Sequence, residues 1–327
     1  MQKWFFQREM FDILNLSLGK SHFIKEKTMP ALRDYFMNKL ILLAAENTNI
    51  VCLDCDMARH TRLKLFQDKY PDRFYQIGIS EQNAIGVAAG LAKGGKIPII
   101  ASFASFISGR AWEQIRHSVV YNETNVKILA THSGLSASED GATHQCTEDV
   151  SLMLSLPEIE VFSPAFEKEC EDICQYIIES KKPAYIRLGR DAIDTKNNYT
   201  APIGEPIIIG EPNCKYAIIS TGEITNDYVE VIKRRTNIKL IHIGSIRPLD
   251  YEVIRRGLDG VQKVVIAAEV SQYNSFSSML YENNIMKDKE VINLNMQGKF
   301  GQTGTIGELR NFYKLNAQHV IGIMGDN

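Results

Sequence analysis

The sequence predicts an α/β protein of two doubly wound domains: a six-stranded parallel domain, followed by a smaller α/β domain. Three observations carry this expectation. Short apolar runs alternate with helical patterns over residues 28–190 and again over 214–327, the rhythm of parallel sheets wrapped by helices. The runs KIPIIA and VKILA are nearly continuous in apolar residues, as strands buried on both faces should be. Between the two series, residues 191–213, DAIDTKNNYTAPIGEPIIIGEPN, lose the rhythm and read as a linker. The length, 327 residues, suits about two domains.

Residues 1–27 read as an extension whose Trp4, Phe5, Phe6, Met10, Phe11, Ile13 and Leu14 need a surface to cover. A helix over 30–46 then leads to a strand at 49–53. The polar, basic segment DCDMARHTRLKLFQDKY comes next. A strand at 74–79 breaks at Ser80-Glu81 and runs into a helix rich in small residues: Ala84, Gly86, Ala88, Ala89 and Gly90. Strand 96–103, helix 111–121 and strand 126–131 precede a long loop, HSGLSASEDGATHQ. Helix 147–156, strand 160–162, helix 167–180 and strand 183–188 complete the first domain. The second has strands at 216–220, 239–243, 263–267 and 290–294, with helices including 226–235 and 250–258. The end, TIGELRNFYKLNAQHVIGIM, reads as a helix and a last short strand. No internal repeat occurs at solenoid periods.

Composition excludes several classes of function. With 37 basic and 39 acidic residues the net charge is -2, which leaves no electrostatic footprint for nucleic acid. No apolar run approaches the roughly 20 residues of a membrane helix. The N-terminus has no continuous apolar core or small-residue cleavage site, so a cytoplasmic location is expected. Of six cysteines, Cys52 and Cys55 form a lone C-x-x-C at a strand end. Buried, reduced thiols account for these better than a metal site. No Walker or dinucleotide glycine loop is present.

The candidate chemistry lies at the strands' carboxyl ends, which share one edge in a parallel sheet and open on one crevice. Asp54 and Asp56, then Ser80-Glu81, then Phe103 with Phe106, then His132 and its loop all fall there. Glu81 stands where a strand end meets a helix start, where a carboxylate is favoured by the helix dipole. The loop after the fourth strand holds His132, Glu139, Asp140, Thr143, His144 and Gln145, a polar set suited to handling a polar substrate. Phe103 and Phe106 are either core residues or the wall of a flat pocket. Arg187 and Arg190 follow a strand, where a guanidinium either grips a phosphate or forms an ordinary ion pair.

At these residues the chain resembles the transketolase family of thiamine-diphosphate enzymes, and more narrowly the C-terminal subunit of a split transketolase. The resemblance rests on IVCLDCDM, RFYQIGISEQNAIGVAAGLA, ASFASFISGRAWEQIRHSV, VKILATHSGLSASEDGATHQCTEDV, PAYIRLGR and FGQTGTIGELRNFYKL, and covers residues 28–325. It implies a pyrimidine-binding domain over 28–190 and a transketolase C-terminal domain over 214–327. It implies that Glu81 hydrogen-bonds the aminopyrimidine ring of the cofactor, within an aromatic wall of Phe103 and Phe106. It further implies that His132, Asp140 and His144 face the sugar, with His132 and His144 sharing catalytic proton work with Glu81. Arg190 would contact a substrate phosphate, Asp56 would lie near the cofactor at the subunit boundary, and His60, Thr61 and Arg62 would lie near the acceptor.

The family's GDG motif, which holds Mg²⁺ and the cofactor's diphosphate, does not occur in this sequence. The resemblance therefore implies a partner subunit carrying that motif, active sites at the interface, and two copies of each chain. No metal ligand is expected in this chain. In the second domain, AAEVSQYNSFSSML replaces the Glu-Glu-His and glycine-rich run often found in the family, which leaves that domain's packing, or a regulatory role, open.

Overall fold

A computed structural model describes residues 30–193 and 196–324. The proposed extension over 1–27 lies outside the described residues.

The first domain's strands are β1 (Ile50–Asp54), β2 (Phe74–Gln76), β3 (Ile97–Phe103), β4 (Lys127–Thr131), β5 (Glu160–Phe162) and β6 (Ala184–Arg187). All six pair in parallel, in the order β5-β6-β4-β3-β1-β2. Their apolar runs are explained by burial on both faces. Val51 and Leu53 of β1 pack into one layer, while Ile50 and Cys52 pack into the other.

Helix Leu32–Glu46 buries Phe36, Met37, Leu40 and Ala44, at helical spacing, against helix Glu167–Glu179. Asp34 accepts from the Ala31 N–H at 3.0 Å and fixes that helix's start. Each fully buried side chain of this kind contributes about 1.5–3 kcal/mol.

The second domain is built on β7 (Ile207–Ile209), β8 (Tyr216–Ser220), β9 (Ile238–His242), β11 (Lys263–Ala267) and β12 (Glu290–Leu294). Their order is β12-β11-β8-β9-β7, parallel except for β7, which runs antiparallel to β9. Between β9 and β11 the chain crosses back to the first domain. There β10 (Ser245–Arg247) pairs antiparallel with β5 as a seventh strand. Gly244 permits the crossing, because a Cβ there would overlap the Glu169 carboxyl group.

Three expectations are corrected. The segment read as a linker, 191–213, carries β7, and Ala192 bridges to Ala31. The last element is a helix, Ala317–Gly322, because Asn316 caps it by accepting from the His319 N–H at 2.8 Å. The strand at 74–79 ends at Gln76, because Gly78 turns the chain with φ +83°. All six cysteines are buried and free.

Candidate active site

Parallel pairing brings the carboxyl ends of β1, β2, β3, β4 and β6 to one edge. At the first of these, Asp54 is fully buried and accepts from Gln76 Nε2 at 2.7 Å and from the Met57 N–H at 3.1 Å. It ties β1 to β2 and anchors the turn into helix Ala58–Thr61, which carries His60. Burial raises the Asp54 pKa against these hydrogen bonds. Asp56 is exposed, with a left-handed φ of +66°, and its N–H donates to Gln76 Oε1 at 3.1 Å.

Glu81 is the first residue of helix Glu81–Lys93 and is 1% exposed. Its Oε2 accepts from Arg110 Nη1 at 2.8 Å. The helix's first turn favours negative charge there. Ala84, Ile85, Ala88 and Ala89 are buried on the same side of the helix as Glu81, while Gly86, Val87 and Gly90 are exposed on the opposite side.

Phe103 ends β3, and the chain then winds as a π-helix over Ser105–Arg110. Such windings recur at functional sites. Here the winding sets the Phe106 ring 17° from parallel to Phe103, with centroids 5.7 Å apart. It also lays the Arg110 guanidinium over Phe106, 4.7 Å from the centroid. The predicted helix over 111–121 is a short helix, Trp112–Gln114, followed by a second π-helix, Ile115–Tyr121.

His132 stacks on Phe103 at 3.7 Å and 28°. Its backbone is left-handed, φ +57°, a conformation non-glycine residues rarely hold without a constraint. The edges of His60 and His144 face Phe103 at 6.0 and 6.3 Å. The loop beyond His132 is pinned at its base, where Gly134 and Cys146 exchange both backbone hydrogen bonds at 2.7 and 3.1 Å. Leu135, Ser136, Ala137 and Ser138 are buried, so the first half of this loop is packed rather than solvated.

Arg33 Nη1 lies 3.3 Å from His132 Nε2, and Thr131 Oγ1 lies 3.1 Å from His132 Nδ1. An arginine can only donate, so Nε2 accepts and Nδ1 carries the proton. Thr131 in turn donates to the Ser102 carbonyl at 3.4 Å. Burial, reinforced by Arg33 and Arg190, pushes the His132 pKa down to about 2. This favours a neutral, hydrogen-bonding His132, because charging it would add a cation beside two arginines.

Arg33, Arg62 and Arg190 form a basic side to the site. Arg62 pairs with Asp34 at 2.7 Å, and Arg190 with Asp140 at 3.6 Å. The structure thus brings His60, Phe103, Phe106, His132 and His144 together, and pairs Asp140 with Arg190. Sequence reasoning missed Arg33 and Arg110. Arg110 was findable, four residues past Phe106 on a helix. Arg33 was not, because only tertiary packing carries the first helix to His132. Arg187 proves to be a buried ion-pair partner of Asp149, at 3.0 Å, rather than a group facing the site.

A match to the transketolase pyrimidine-binding domain extends over residues 28–195, and the chain belongs to the transketolase family. Within that family its relatives include C-terminal sections and subunits of split transketolases. One, from Methanocaldococcus jannaschii and named provisionally as a transketolase C-terminal section, is 32% identical over 88% of this chain and 93% of its own. The 6-deoxy-6-sulfo-D-fructose transketolase subunit of Clostridium sp. MSTE9 is 30% identical over 89% and 92%. A solved structure described as a split gene transketolase, inactive beta4 tetramer, is 31% identical with TM-score 0.75. It matches 89% of this chain and 96% of its own. Among the described residues no helix is long and apolar enough to cross a membrane, and no group of three or more His, Cys, Asp or Glu could hold a metal ion.

Proposed function

We propose that this chain supplies the ring-binding and sugar-binding half of a ketol transferase. A partner subunit carrying a GDG motif would hold the diphosphate and Mg²⁺, two copies of each chain making the assembly. The observation that carries this is a buried acid, Glu81, joined through the Arg110 guanidinium to two nearly parallel phenyl rings. A flat, amino-substituted heterocycle fits that donor set: rings to stack on and a carboxyl group to meet a ring nitrogen.

Glu81, Phe103 and Phe106 would hold the aminopyrimidine of thiamine diphosphate, with Asp56 at the rim toward the partner. When bound, that cofactor supplies a nucleophilic carbon that takes up a two-carbon fragment from a ketose. Glu81 holds or yields a proton at the ring nitrogen. The Arg110 side chain, 48% exposed, can leave Glu81 at small cost.

His132, in its neutral form, orients a sugar hydroxyl, and His144 moves a proton on the same face. His60 lines the acceptor side. Asp140 places Arg190, and Arg33 and Arg190 grip an anionic end of the sugar. The name of the Clostridium relative, which specifies an anionic sulfo-sugar, supports that grip. The split-gene relative, solved as an inactive tetramer of β chains, supports dependence on a partner.

The test mixes this chain with the GDG-bearing subunit, thiamine diphosphate, Mg²⁺, a ketose phosphate and an aldose. Two-carbon transfer is expected only in the complete mixture. Turnover by this chain alone, or none in the complete mixture, overturns the proposal.

A further inference from the structure

The residues assigned above belong to the first domain, yet two carboxyl groups of the second domain end on the loops that carry them. Glu269, just past β11, accepts through Oε2 from the Leu135 N–H at 3.1 Å. Its Oε1 accepts from Arg310 Nε at 2.7 Å, and its carbonyl from Arg187 Nη2 at 2.8 Å. Glu223, in the turn after β8, accepts through Oε1 from the Gly189 N–H at 2.9 Å. Leu135 is three residues past His132, and Gly189 immediately precedes Arg190. A hydrogen bond from the Ser133 N–H to the Leu188 carbonyl, 3.2 Å, joins the two turns.

Both turns have glycine where the carboxyl group seats. A Cβ on Gly134 would stand 2.4 Å from Glu269 Oε2, and one on Gly189 would overlap the Glu223 carboxyl group. Glu223 Oε2 is buried with no hydrogen-bond partner, and burial beside Asp191 pushes the Glu223 pKa up to about 8. Burying such groups is costly, and an apolar seam would join two domains at less cost. What a carboxyl group on a turn amide adds is a fixed position for the turn.

We propose that Glu269 and Glu223 are positioning residues for His132 and Arg190, so that the second domain sets both the site's hydroxyl-orienting imidazole and its grip on the anionic end of its sugar. The ligand in this statement rests on the transketolase reading; the positioning of the two turns does not.

The test uses Glu223→Ala and Glu269→Ala, with Gly189→Ala as a third variant that displaces the Glu223 carboxyl group without removing it. In the assembled enzyme, KM for a phosphorylated ketose should rise about tenfold or more. KM for an unphosphorylated ketose should change less than about twofold in Glu223→Ala and Gly189→Ala, while Glu269→Ala, which loosens His132, should raise it as well, with cofactor affinity unchanged in all three. Glu223→Gln, which keeps an acceptor for the Gly189 N–H, should recover most of the loss.

In the folded chain without its partner, amide hydrogen exchange over residues 187–191 should quicken about tenfold in Glu223→Ala and Gly189→Ala, and over 132–138 in Glu269→Ala. If Glu269→Ala fails to fold, the Glu223 and Gly189 variants decide. Equal losses on both donors in the Glu223→Ala and Gly189→Ala variants, or exchange unchanged at both turns, overturn the proposal. Failure of the transketolase reading would instead show as wild-type enzyme without donor cleavage, and the exchange measurement would still judge the positioning.

Discussion

Glu81→Gln, in this chain assembled with its partner, is expected to lower ketose cleavage by about 10²–10⁴-fold, the range a positioned acid–base group contributes. The fold should survive the change. The residue is 1% exposed, and among the described residues its ion-pair partner is Arg110, whose side chain is 48% exposed. Glutamine keeps the volume and an acceptor for Arg110, so the loss falls on proton exchange rather than packing. Glu81→Ala should be at least as inactive while melting near the wild-type temperature. Steady-state rates beside thermal melts check this. An active Glu81→Ala enzyme would reduce the chain to a scaffold.

Asp149→Ala is expected to be the most damaging change outside the site, costing about 3–5 kcal/mol of folding stability. Asp149 is fully buried and Arg187 is 4% exposed. Arg187 Nε donates to both Asp149 oxygens, at 3.0 and 3.2 Å, and the Tyr185 hydroxyl donates to Oδ2 at 3.0 Å. Removing the acid leaves a guanidinium buried beside an orphaned phenol, with the Glu269 carbonyl, at 2.8 Å, as its remaining hydrogen-bond partner among the described residues. Asp68→Ala, which breaks an exposed pair with Lys64, should leave the denaturation midpoint unchanged and serves as the control. A midpoint for Asp149→Ala that matches the control would show that the buried pair does not hold the domain seam.

The first domain was legible in the sequence because its strands are buried on both faces, which leaves runs such as KIPIIA little freedom to be anything else. The convergence of Glu81, Phe103 and His132 on one edge followed from that parallelism alone. Other features depend on tertiary context. Ser245–Arg247 has no strand signature of its own; it pairs because the crossing after β9 brings it to the free edge of β5. The run HVIGIM suits a strand or a helix equally, and the cap at Asn316 decides it. The neutral state of His132 comes from burial, reinforced by Arg33, some hundred residues earlier in the chain, and by Arg190. No spacing rule would pair these groups. Likewise AAEVSQYNSFSSML, which looked only like a departure from a family pattern, contains the Glu269 that reaches the Leu135 N–H.

The division of the cofactor between two chains is tested most directly by titrating thiamine diphosphate, with Mg²⁺, into this chain alone, into its GDG-bearing partner alone, and into their mixture. Saturable binding, one cofactor per pair of chains, is expected only in the mixture, and Phe103→Ala should weaken it by about tenfold, or 1.4 kcal/mol. Binding by this chain alone as tight as in the mixture would contradict the account.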